Sequence, residues 1–212
     1  MSLLTTPLDA LHRELGAKMV LFAGYDMPVQ YPQGIIKEHL HTRSLAGLFD
    51  VSHMGQVVVS GRDSAVMLES LVPADLEGLE VGAQTYTLFT NDRGGILDDL
   101  VVTRWSDEEF FLVVNAACKD QDIAYLRAHL GENSLMVMAD QALLALQGPS
   151  AREIVKTLFP GAEQLTFMHG CHTLWEGIDI YISCSGYTGE DGFEVSIPGV
   201  NAQALARKIL EF

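Results

Sequence analysis

Two adjacent carboxylates, Asp98 and Asp99, are the side chains best placed to do chemistry. They follow Asn91-Asp92-Arg93-Gly94-Gly95, a stretch suited to a turn because glycine takes positive φ without steric cost and Asn and Asp bond their own backbone. Residues 85–90 before it are rich in β-branched and aromatic types, and residues 96–105 after it read as the returning strand of a hairpin. Side chains alternate across a strand, so Asp98 shares a face with Ile96 and Leu100, and Asp99 with Leu97 and Val101. Both faces are apolar, which predicts at least one carboxylate in a dry environment, where it must be hydrogen-bonded or meet a cation. A carboxylate so held can stabilise a developing positive charge or take up a proton. Two readings stay open at this point: both acids solvated at the turn, or one inward acid at the floor of a ligand site.

A second candidate is Ser185-Gly186-Tyr187-Thr188-Gly189-Glu190-Asp191-Gly192, set between predicted strands at 178–184 and 193–197. Its three glycines let backbone approach a ligand, and Tyr187 offers an aromatic face; an ordinary hairpin loop would look the same. The histidines carry less. His39 and His41 lie two apart on a predicted helix and face different ways. His53 reads as a structural histidine. His169-Gly170-Cys171-His172 crowds its ligands too closely for the usual zinc spacing, so no metal is expected.

The elements that must position these residues follow from local signals. Thr6-Pro7 starts a helix that Gly16 stops, residues 19–23 form a short strand, and residues 25–32 form an extended loop held by Pro28 and Pro32. Helices are predicted at 35–46, from the Gly61-Arg62-Asp63 turn to Leu71, at 116–130, and from Ser150 to Leu158, with Ser150 and Glu153 as a capping box. Strands are predicted at 56–60, 110–115 and 143–147, and a last helix at 202–210. Gly61, Asp63, Leu68 and Leu71 fall in step with Gly148, Ser150, Val155 and Leu158, which marks a repeated strand–helix–hairpin–helix block. The predicted fold class is α+β, with mixed, largely antiparallel sheets and two interlocked halves divided at about residues 133–134.

A chain of 212 residues, 48% hydrophobic and 19% charged, has ample material for a folded core. Its net charge of −15 argues against nucleic acid and against anionic membrane surfaces. Cys118, Cys171 and Cys184 show no C-x-x-C spacing, and no targeting segment opens the chain, so a cytoplasmic location is expected.

Five stretches in order give a more specific reading: Asp50-Val51-Ser52-His53-Met54, Asn91 with Gly94-Gly95-Ile96 and Asp98-Asp99, Val114-Asn115-Ala116, Leu146-Gln147-Gly148-Pro149, and Gly186-Tyr187-Thr188-Gly189-Glu190 through Glu194. Together they resemble the aminomethyltransferase (T-protein) family of the glycine cleavage system. The resemblance implies tetrahydrofolate-dependent transfer of an aminomethyl group from the lipoyl arm of H-protein, giving 5,10-methylenetetrahydrofolate and ammonia. It implies Asp99, rather than Asp98, as the catalytic carboxylate, with Met54, Tyr86, Asn115, Tyr187 and Glu194 as folate contacts. It implies tetrahydrofolate as acceptor substrate, lipoylated H-protein as partner and no metal.

Two departures stand out. Cys184-Ser185 precedes the Gly-Tyr-Thr-Gly loop where many relatives carry Arg-Thr, which puts a polar contact in question. Beyond Phe212 the family continues with a folate-contacting arginine segment and a C-terminal β-rich domain. Related folate domains of demethylases or sarcosine-type dehydrogenases are the nearest alternative. A non-enzymatic iron–sulfur maintenance factor is the other, but its Lys-Gly-Cys-x-x-Gly-Gln motif is not matched at residues 185–190. From these expectations, residues 1–212 alone should fold, bind folate weakly and transfer no aminomethyl group. Turnover of loaded H-protein by the isolated fragment near the rate of a full-length enzyme would overturn this.

Overall fold

The computed structural model describes residues 3–212. The chain begins with α1 (Asp9–Glu14), β1 (Lys18–Phe22), β2 (Tyr25–Gln30), α2 (Ile35–Ser44) and β3 (Gly47–Asp50). It continues through β4 (Gly55–Ser60), α3 (Ser64–Glu69), β5 (Gln84–Thr90), β6 (Ile96–Arg104), β7 (Glu109–Val114), α4 (Lys119–Leu130) and β8 (Leu135–Val137). The last stretch is β9 (Gln141–Gln147), α5 (Ala151–Leu158), β10 (His169–Trp175), β11 (Ile178–Cys184), β12 (Gly192–Pro198) and α6 (Gly199–Ile209). The fold is α+β, and every strand pairing with a resolved register is antiparallel. Among the described residues, no helix is long and apolar enough to cross a membrane.

Two compact units form. One gathers the chain up to His53 with Asp140–Phe167 and Cys171–Phe212; the other holds Met54–Ala139 with Met168–Gly170. A single cut near residue 133 therefore misassigns the N-terminal segment. The reason is pairing: β3 lies beside β9, with Leu48 opposite Leu146 and Phe49 opposite Ala145. Each unit has a five-stranded sheet, in the orders β10-β11-β12-β9-β3 and β5-β6-β7-β4-β8. These are the same arrangement, a three-strand meander followed by the block's first strand and an added edge strand. The repeat seen at Gly61 and Gly148 is thus a repeat of topology.

The cores follow from the alternation of apolar residues along the strands. In the first unit, Phe193, Val195 and Ile197 of β12 pack with Ala151 and Val155 of α5 and Leu205, Ala206 and Ile209 of α6. In the second, Val57 and Val59, Phe89, Leu100 and Val102, and Leu112 and Val114 pack with Leu68 of α3 and Ile123 and Leu126 of α4.

Several local expectations are revised. Residues 25–30 are a strand paired with β1, because Met27 opposite Val20 and Tyr25 opposite Phe22 outweigh Pro28 at an edge position. Thr6 does not cap α1; its hydroxyl donates to Asp50 Oδ2 at 2.6 Å. Ser150 makes no side-chain cap, and its backbone N–H donates to the Leu45 carbonyl at 2.9 Å. The strands β3, β8 and β10 carry too few alternating residues to stand out from the loops around them.

A buried polar cluster ties the N-terminal segment to the Asp50 stretch. His12 Nε2 lies 2.9 Å from Asp50 Oδ2, and His12 Nδ1 lies 2.8 Å from the Tyr31 hydroxyl. Burial, then the charges of Asp50 and Glu38, push the Tyr31 hydroxyl up to about 12. Tyr31 therefore keeps its proton, and the His12 ring bridges its hydroxyl to the Asp50 carboxylate. Burial would raise the Asp50 carboxyl, but bonds from His12, Ser52 and Thr6 outweigh it and hold it below its ordinary value.

Gly148 marks the tightest backbone approach. Its φ is +120°, and a Cβ there would stand 2.4 Å from the Thr42 carbonyl oxygen and 2.6 Å from that of Leu45. Gly148→Ala should cost about 3 kcal/mol, since both the backbone conformation and the rigid neighbours oppose a side chain. Thermal unfolding would measure it, and an unchanged midpoint would contradict this packing.

Candidate functional site

The site residues of the second unit stand at one end of its sheet. Asp99 of β6 pairs with Leu88 of β5, and Asp98 pairs with Phe89. Phe89 is fully buried in the core, so Asp98 turns inward with it, and Asp99 turns to the opposite, more open face. The carboxylate that enters the dry interior is therefore Asp98. Asp99 is half-buried rather than held on an apolar core face. Beside Asp99 stands Tyr86, which is half-exposed and whose hydroxyl donates to the Asp99 carboxylate. That bond, then burial and the charges of Asp99 and Asp98, raise the Tyr86 hydroxyl above its ordinary value.

Asn115, just past β7, holds both acids in place. Its Nδ2 donates to Asp98 Oδ1 at 3.2 Å and to the backbone carbonyl of Asp99 at 3.0 Å. Met54, half-buried, comes immediately before Gly55, which pairs with Val114 at the same end of the sheet. Here the structure brings together four residues singled out in the sequence, Met54, Tyr86, Asp99 and Asn115.

Asp98 has two further neighbours. The Cys118 thiol is raised by burial and then by the Asp98 charge, and it stays protonated. Asp122, in the first turn of α4, is 1% exposed. Burial first, then Asp98 and Asp99, push its carboxyl up to about 7. The sequence analysis singled out no role for Asp122. The signal for Asp122 was faint: one acid on the helical face that carries Ile123 and Leu126.

In the first unit, Glu194 pairs with Ser183 of β11 and Ala145 of β9, on the face opposite Phe193 and Val195. Ser185 Oγ donates to Glu194 Oε2 at 2.9 Å, and Ser183 and Ser185 hydroxyls are 2.9 Å apart. Burial raises the Glu194 carboxyl, and the bond from Ser185 only partly offsets that. Ser185, the residue in doubt as a departure from the family pattern, is thus the polar partner of the half-buried acid. Tyr187 projects from the loop and is 80% exposed.

Gln147 organises that loop. Its Nε2 donates to the Ser185 carbonyl at 3.0 Å, and the Thr188 hydroxyl donates to its Oε1 at 3.4 Å. A Cβ on Gly186 or Gly192 would stand 2.2 or 2.0 Å from Gln147 Oε1, so a side chain at either position would have to displace that amide. Arg152 fixes the far side, donating to Asp191 Oδ2 at 2.5 Å with its guanidinium 5.2 Å from the Phe193 ring centroid.

The remaining histidine candidates are structural. His53 is buried against Phe22 and Tyr25 in edge-on ring contacts at 5.5 and 6.2 Å. His172 meets Tyr181 edge-on at 5.2 Å.

The profile of the family described as the GCVT N-terminal domain matches residues 8–212. The chain belongs to this family. It is 45% identical to the mitochondrial aminomethyltransferase of Gallus gallus over 214 residues, covering 97% of this chain and 54% of that protein. With the aminomethyltransferase of Desulfitobacterium hafniense it shares 42% identity over 210 residues, covering 97% and 57%. A crystal structure of the glycine cleavage system aminomethyltransferase T from Bartonella henselae superposes with a TM-score of 0.92 at 43% identity, covering 99% of this chain and 57% of that one. Heterotetrameric sarcosine oxidase from Corynebacterium sp. U-96 shares the fold, with a TM-score of 0.60 at 15% identity over 97% of this chain and 92% of that one. This member of the GCVT family spans about half the length of the curated relatives it matches, 54% and 57% for the two above.

The Ser185–Glu194 bond gives a direct test. In Ser185→Ala the Glu194 carboxyl loses the one contact that lowers it, so it should titrate at higher pH than in the wild type. Carbon-detected NMR of the glutamate carboxyls would follow it; an unmoved titration would mean the bond does not form in solution.

Proposed function

We propose that this chain is the folate-binding region of a tetrahydrofolate-dependent aminomethyltransferase, with Asp99 as its catalytic carboxylate and lipoylated H-protein as its partner. In the reaction, the substrate carbon leaves the lipoyl sulfur and its own amino nitrogen and joins the folate nitrogens N5 and N10. Two N–H hydrogens of folate are lost. One ends on the lipoyl thiol and one on the departing ammonia. The carbon carries positive charge while it moves, so a fixed carboxylate nearby lowers the barrier.

The observation that carries this reading is the pairing of Tyr86 with Asp99 on the open face of the sheet, with Asn115 bonded to the same strand. A carboxylate so held is already oriented, and it is accessible enough to meet a substrate. It can stabilise the cation and accept a proton as a folate nitrogen is alkylated. Met54 adds an apolar contact, and Tyr86 and Asn115 serve both folate and the carboxylate. In the first unit, Glu194 supports the same reading. A half-buried carboxylate bonded by the Ser185 hydroxyl has acceptor capacity left for the amino and ring N–H groups of a pterin, and Tyr187 offers a ring to stack.

In a protein of the relatives' full length, Asp99→Asn should lower turnover by about two orders of magnitude or more while leaving the fold intact. Ammonia release from loaded H-protein measures it, and comparable rates would remove Asp99 from the mechanism. Glu194→Gln should weaken tetrahydrofolate binding by about 1.5–3 kcal/mol, the worth of a charge-assisted hydrogen bond, with a smaller effect on stability. Only the ionised carboxylate accepts from two N–H groups. Because burial raises Glu194, wild-type affinity should start to fall at a higher pH than an ordinary glutamate would give. Calorimetric titrations across pH decide this: equal affinities for wild type and Glu194→Gln put Glu194 outside the site.

A further inference from the structure

Asp98 of β6 and Asp122 of α4 are two acids of the second unit whose carboxyl groups lie within hydrogen-bonding reach of each other. The Oδ2 atoms of both are buried, and neither meets an N–H or O–H donor of the protein. The other Asp98 oxygen is already held by Asn115 at 3.2 Å. Two buried carboxylate oxygens side by side repel if both acids are ionised, and each is costly to leave unbonded. A single hydrogen between them removes both penalties, since a neutral carboxyl is a donor and its ionised neighbour an acceptor.

A bound cation would also answer the charge. Among the described residues, however, no group of three or more His, Cys, Asp or Glu side chains gathers to hold one. The charged groups acting on Asp122 are Asp98 and Asp99, both from β6. Cys118, on the turn before α4, stays a neutral thiol beside Asp98.

We propose that Asp122 is a neutral carboxylic acid that donates its hydrogen to Asp98, and that this carboxyl pair positions the neighbouring Asp99 on the open face of the sheet. Asp122 touches no substrate in this arrangement and is a positioning residue. It anchors β6 from inside at Asp98, while Asn115 anchors the same strand at the Asp99 carbonyl. The protonation stands on the two buried Oδ2 atoms and the closeness of the carboxyls. The positioning role rests on the reading of Asp99 given above.

The test separates the two. Aspartate carboxyls labelled with carbon-13 are titrated by NMR in the wild type, Asp122→Asn and Asp98→Asn. The signal that disappears in Asp122→Asn should titrate well above the ordinary aspartate range, and it should move down in Asp98→Asn. A signal in the ordinary range, or one that Asp98→Asn leaves in place, overturns the pair whatever the protein's activity. Stability gives a second readout with a definite sign. A carboxyl raised from 3.8 to about 7 contributes stability that is present below the lower value and is lost as pH rises through the upper one. Asparagine does not titrate, so the melting temperature of Asp122→Asn relative to wild type should climb across that window; a flat difference overturns the pair. In the full-length enzyme, Asp122→Asn keeps a donor for Asp98 and should hold turnover within a few-fold. Asp122→Ala should lower kcat at least tenfold with little change in KM for folate, which a general loss of folding would not reproduce. If the titrations follow expectation but Asp122→Ala turns over normally, the pair exists and its positioning role is wrong.

Discussion

A carboxylate removed from water must find a hydrogen bond, a cation or a proton, and this constraint shapes both units. The chain meets it three ways. Asp50 is surrounded by donors from His12, Thr6 and Ser52, and its carboxyl is held below its ordinary value. Glu194 is bonded by the Ser185 hydroxyl and is left raised. Asp98 meets one amide, the Cys118 thiol and a second acid. Full satisfaction marks the Asp50 cluster as structural, and partial satisfaction leaves Glu194 with capacity for something further. The same physics thus separates the acid that holds the fold from the acid suited to a ligand.

Around these acids the supporting residues do work that is easily mistaken for passive packing. Gln147 sits beneath the glycine-rich loop, and its amide occupies the space where Cβ atoms at two of the glycines would stand. The flexibility suggested by three glycines is therefore only partly real. Two of them leave room for that side chain, and the loop rests on a fixed polar support. Asn115 plays the corresponding part in the second unit, with one amide nitrogen shared between a side chain and a backbone carbonyl of neighbouring residues.

Much of this was legible in the sequence because it rests on local signals. The Asn91–Gly95 turn and its flanking strands, and the block repeat at Gly61 and Gly148, follow from turn chemistry and alternation, which left open whether either acid of the Asp98-Asp99 pair turns inward. What stayed hidden is non-local. Nothing near residue 47 announces that β3 will pair with β9 nearly a hundred residues later, and the N-terminal segment is misassigned as a result. Which acid turns inward depends on register with β5, and the residues on each side are too similar to reveal it. Asp122 is invisible for the same reason: its importance comes from an acid on another element.

The edge position of β3 has a consequence for how the chain is made. Because β3 completes a sheet whose other strands lie between residues 141 and 198, it emerges from the ribosome long before its partner β9 exists. The segment from Met54 to Ala139 carries all five strands of its own sheet and can collapse meanwhile. The strand order therefore lets the middle sheet close before the sheet holding β3 can be completed. Throughout that delay β3 keeps an unpaired edge and the Asp50 stretch lacks much of its enclosure. The early segment is thus the part of the nascent protein most exposed to mispairing and most in need of protection while the rest is still being translated.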